Sequence, residues 1–105
     1  MSRRLIRDRQ DVHMPNMKPI ISSVKDEEFL NLVAVQLFEQ LGIFVSSQST
    51  EEILDAGAEV LELFRIYAQR KKEVPLTKIH ERQNLKKRHL GGYKKQLVLQ
   101  GFTAT

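Results

Sequence analysis

The stretch from Ser49 to Lys72 constrains this chain more than any other, because only a helix gives its pattern a sensible division. At about 100° per residue, Ile53, Leu54, Ala56, Val60, Leu61, Leu63, Phe64, Tyr67 and Ala68 fall on one half of a cylinder. Asp55, Glu59, Glu62, Arg65 and Gln69 fall on the other, and only Ile66 breaks the division. Ser49 is placed to cap the first turn, with Glu52 three residues on to reach back to it, an arrangement worth about 1 kcal/mol. Arg70, Lys71 and Lys72 oppose the negative pole at the far end, and Pro75 stops continuation. Gly57 inside the helix costs about 1 kcal/mol relative to alanine, and with Ala56 and Ala58 it makes a smooth patch that another helix could approach.

A preceding helix is expected from Val24 to about Leu41, opened by Ser22 and Ser23, strengthened by the acidic run Asp26, Glu27 and Glu28, and closed by Gly42 as its C-terminal cap. Its apolar residues Phe29, Leu30, Leu32, Val33, Val35, Leu37, Phe38 and Leu41 occupy far more than one stripe. The following helix can cover one side only, so the remainder calls for another surface. Ile43, Phe44 and Val45 then lead into a short polar linker, which favours antiparallel neighbours and hence a helical hairpin.

The part with a convincing apolar pattern, roughly Ile20 to Leu76, is about half of the chain and supplies a thin core, so help from an oligomer or partner is expected. Before it, residues 1–20 read as a basic arm without a folded element, extended around Pro15 and Pro19, and either a tether or a solubilising terminus. After it, a polar third helix is expected from about Thr77 to Leu90, with Leu76, Ile79 and Leu90 on a narrow stripe and Leu85 off it. Gly91-Gly92 breaks that helix, and residues 93–102 are too short a pattern to read as helix or strand.

The net charge of +4 is unevenly spread: five basic and two acidic residues lie in 1–20, three and nine in 21–70, and nine and two in 71–105. Basic ends around an acidic middle suit contact with phosphate or an acidic protein surface, or mutual compensation within the chain. Lys78, Arg82 and Lys86 stand four apart and form a ridge, joined by Lys87, Arg88, Lys94 and Lys95. Such a ridge gives affinity without sequence reading, and no zinc-finger spacing or diagnostic aromatic pair accompanies it. Gly91-Gly92 between His89 and Lys94-Lys95 could form an anion nest, but a lone glycine pair is a weak signal and an ordinary helix break is the preferred reading.

Enzymatic readings find little support. There are no cysteines, which excludes disulfides and thiolate metal sites. His80 and His89 are nine residues apart, His13 lies in the arm, and Glu52, Asp55 and Glu59 lack a paired histidine, so no metal, cofactor or catalytic group is expected. The most apolar stretch, Phe29 to Leu41, is interrupted by Asn31, Gln36, Glu39 and Gln40 and too short for a bilayer, so a soluble intracellular protein without membrane contact is expected.

The order of helix, loop, amphipathic helix and then RKKEVPLTKI resembles that of the histone fold, over about residues 26–90. The Ser49–Lys72 helix is shorter than the long middle helix of that fold, so no family is assigned on this basis. The sequence thus predicts an all-α chain: a basic arm (1–20), a hairpin core (21–76), and a basic helix with tail (77–105). The expected role is a non-catalytic subunit or adaptor that meets another protein chain through Phe29, Val33, Leu37 and Phe38, with basic ends on phosphate or acidic surface. The alternative is a homodimeric regulator that holds DNA or RNA through residues 71–95.

Overall fold

In the computed structural model, which describes residues 4–10 and 20–104, the protein is all-α with three helices: α1 (Asp26–Ser46), α2 (Thr50–Arg70) and α3 (Leu76–Leu90). No strand occurs among the described residues. Two compact units make up the chain, Met1–Pro75 and Leu76–Thr105. Pro15, Pro19 and His13, to which the sequence reading gave an extended arm, lie outside the described residues.

In the first unit α1 and α2 pack as the expected hairpin. Their antiparallel course is fixed at both ends. Residues 47–49 turn the chain at one end, and at the other Arg70 of α2 reaches Asp26 at the start of α1, 3.3 Å away, with its guanidinium 4.8 Å above the Phe29 ring. Between the ends Val33, Ala56, Leu63 and Ala68 are buried. Among the described residues these four are the buried apolar side chains and only Val33 is fully so, which makes a thin core.

Gly42 does not end α1, contrary to the sequence reading. Its φ is not positive, so it supplies no left-handed cap, and the helix runs one turn further because Ile43 and Phe44 extend the apolar pattern. The end falls at Ser47, whose N–H bonds to the Ile43 carbonyl at 2.8 Å, while the Ser46 and Ser47 hydroxyls donate to the same oxygen. The extension places Phe44 against α2. A Cβ on Gly57 would stand 3.4 Å from the Phe44 ring, so the small residue at Gly57 serves an approach within the hairpin.

At the start of α2 the Ser49 hydroxyl accepts the Glu52 N–H at 3.2 Å, as its spacing predicted. The exit is less regular: Glu73 takes a left-handed φ of 57°, and the Val74 N–H bonds back to the Ala68 carbonyl at 2.9 Å.

Residues 4–10 depart from the expected unfolded arm and form a strap across both helices. The Leu5 N–H donates to Gln36 Oε1 at 2.9 Å, and Gln36 Nε2 donates to the Leu5 carbonyl at 3.3 Å. Arg4 pairs with Glu39 of α1, and Arg7 pairs with Glu59 of α2 at 2.6 Å. Gln36 is a buried polar side chain on an apolar helix, and such a group needs partners; the strap's main chain supplies them.

In the second unit α3 begins at Leu76, so Thr77 lies inside its first turn. No residue of α3 is buried; Leu76 and Ile79 are half-buried and the rest exposed. Gly91 closes it with φ 79°, its N–H bonded to the Lys87 carbonyl at 2.9 Å. Residues 93–102, which periodicity left open between helix and strand, are neither. A turn from Tyr93 to Gln96 is closed by a 3.1 Å bond, and irregular chain follows.

Candidate docking face and basic segment

Helix α1 turns one side inward and leaves a second apolar side outward. Ala34, Phe38, Leu41 and Val45 recur at steps of four, three and four, the spacing that keeps side chains on one face of a helix able to meet a neighbour. Phe38 is 74% exposed and Val45 76%, with Val35 beside them and Leu41 also exposed. On α2, Leu54, Leu61 and Phe64 are exposed as well. Single exposed apolar residues are ordinary, but a row on one helix is not.

Of the four residues expected to meet a partner, Phe38 alone is exposed. Val33 is fully buried and belongs to the hairpin core, because it lies on the far side of α1 from Phe38. Phe29 is half-buried under the Arg70 guanidinium, and Leu37 is half-buried. Val35, Leu41 and Val45 go unnamed in the sequence reading of the docking set. Val45 could have been found only by continuing the helix through Gly42.

That same extension changes the membrane argument. At 21 residues α1 is long and apolar enough to cross a bilayer by length and composition, so the stretch is not too short, as Phe29 to Leu41 alone had suggested.

Of the acidic residues Glu52, Asp55 and Glu59 on α2, Glu59 is half-buried and holds Arg7. Arg65 pairs with Glu62 along the helix. Among the described residues no group of three histidine, aspartate or glutamate side chains converges as a metal site would require.

In the second unit Lys78, Arg82, Lys86, Lys87, Arg88, Lys94 and Lys95 are all exposed. Lys78, Arg82 and Lys86 share one side of α3; Lys87 and Arg88 leave that side by the helical turn, and Lys94 and Lys95 stand in the turn beyond it. One ion pair involves them among the described residues, Lys78 to Glu81 at 3.6 Å. His80 Nδ1 lies 3.2 Å from Gln83 Oε1, a local contact along the helix. Gly91 spends its N–H on the helix end, which leaves that amide out of any anion nest. Against seven cations this unit has one acidic residue, Glu81, while Met1–Pro75 has ten basic and twelve acidic residues.

No protein-family model, curated protein or solved structure matches this chain. The hairpin itself also lacks the short, long, short order of the histone fold, since α1 and α2 are 21 residues each.

Proposed function

We propose that this protein is a non-catalytic helical subunit or adaptor that docks onto another protein chain through the outward face of α1. The observation that carries the reading is the row Val35, Phe38, Leu41 and Val45, exposed on a helix whose other side is already engaged by α2 and the strap. Burying such a row against a second helix removes apolar surface from water at about 25 cal/mol per Å². A protein neighbour is supported over a lipid one because charge stays exposed beside the row: Glu39, one turn from Val35, and its partner Arg4 keep 42% and 50% of their side chains exposed.

The test uses the full chain in the cells that make it, sized by gel filtration before and after Phe38→Asp. The unaltered chain is expected in a species well above its own 12.2 kDa, and Phe38→Asp is expected to return it to the monomer with its helix content intact. An unaltered chain that elutes as a monomer overturns the reading.

A second reading is favoured by the second unit: a nucleic-acid-binding regulator, dimeric in solution, whose cations contact phosphate directly. Seven exposed basic side chains against one acidic residue support it.

A further inference from the structure

We propose that the unit Leu76–Thr105 takes single-stranded nucleic acid, with Lys78, Arg82 and Lys86 on the backbone and Tyr93 stacked on a base. This deepens the second reading above and rests on it.

The three cations repeat every fourth residue on one side of α3, spread over about 12 Å at the helical rise of 1.5 Å per residue. Each is exposed, and only Lys78 has an acidic neighbour among the described residues. The helix offers little else. It buries nothing, and its apolar residues Leu76, Ile79, Leu85 and Leu90 do not form the broad apolar face that a helix lying in a lipid surface needs. Charge is what α3 presents.

The chain beyond α3 adds the second component. Gly91 ends the helix in its left-handed conformation, and Tyr93 to Gln96 form a turn closed by the Gln96 N–H on the Tyr93 carbonyl. Tyr93, 97% exposed, opens that turn and is followed in the chain by the exposed Lys94 and Lys95. Phe102, 91% exposed, lies further along the same tail. An aromatic ring among lysines gains little from duplex DNA, whose bases are already stacked on one another. Unpaired bases have a free face, and a ring placed between phosphate-binding cations is how sequence-tolerant single-strand binders hold them.

Fluorescence polarisation of the full chain decides it, with labelled oligothymidine, a mixed-sequence duplex of equal length, acidic polyglutamate and anionic vesicles across a salt series. Single strand is expected to bind at least about tenfold tighter than duplex, and Tyr93→Ala to cost it about tenfold while Tyr93→Phe retains it. Changing Lys78, Arg82 and Lys86 together to Gln is expected to lower the slope of log affinity against log salt by about 2. Equal binding of duplex and single strand, with Tyr93→Ala silent, overturns the single-strand proposal and leaves the second reading standing. Absence of binding to either nucleic acid at low salt overturns both. Polyglutamate or vesicles competing as well as the single strand overturn the proposal in favour of general polyanion attraction. Tyr93 and the three cations lie outside the hairpin core, and circular dichroism of each variant checks that α3, which loses the Lys78–Glu81 pair in the triple change, keeps its helix.

Discussion

The two units of this chain form helices for different reasons. In Met1–Pro75 each long helix is held by the other: Val33 on α1 and Leu63 on α2 are buried, Phe44 rests by Gly57, and Arg70 closes the open end. In Leu76–Thr105 a 15-residue helix stands without one buried side chain. Local terms support it: good helix formers, the Lys78–Glu81 pair and the Gly91 termination. Helices of this length are marginal in water on such terms. The lesson is that α3 is a surface whose order a ligand can reinforce, whereas the hairpin carries its order within itself.

That contrast is easiest to break with truncations of leucine. Leu63→Ala is expected to cost about 2–5 kcal/mol in denaturant unfolding followed by circular dichroism, because it empties part of a small core. Leu90→Ala, at an exposed position, is expected to stay within about 0.5 kcal/mol. Similar losses for the two would mean that α3 is packed as firmly as α2, and the comparison would fall. A middle-sized effect is expected at the strap: Gln36→Ala removes both partners of the Leu5 main chain and should cost about 1–2 kcal/mol. Hydrogen exchange at the Leu5 amide reads it directly, and protection that survives the change would show that the ion pairs of Arg4 and Arg7 suffice to seat the strap. The smallest effect is a gain. Glu73→Gly relieves a left-handed residue at the exit of α2 and should add up to about 1 kcal/mol to the midpoint stability of the hairpin.

Much of the hairpin was legible because its signals are local and repeat. The Ser49 cap, the apolar half of α2 and the stop before Pro75 each depend on residues within a few positions of one another. Gly42 misled because glycine ends helices so often, yet here the apolar Ile43 and Phe44 had a surface to reach and the helix passed through. The outward row was only half legible: an excess of apolar residues on α1 is plain from sequence, but which of them face inward depends on where α2 and the strap lie. Val33 was therefore assigned to a partner when it belongs to the core. The strap itself was the hardest to see. Its sequence signal was a glutamine in the middle of an apolar helix, a group that cannot be buried without something to bond. The basic segment needed no fold to be recognised, since its residues are exposed wherever α3 points.

The strap also sets an order of events during synthesis. Leu5 leaves the ribosome before its partner Gln36 has been made, 31 residues later, and Arg7 waits 52 residues for Glu59. The strap's bonds to Gln36 and Glu39 can therefore form once α1 is made, while its last tie, Arg7 to Glu59, closes only when α2 has emerged past its middle.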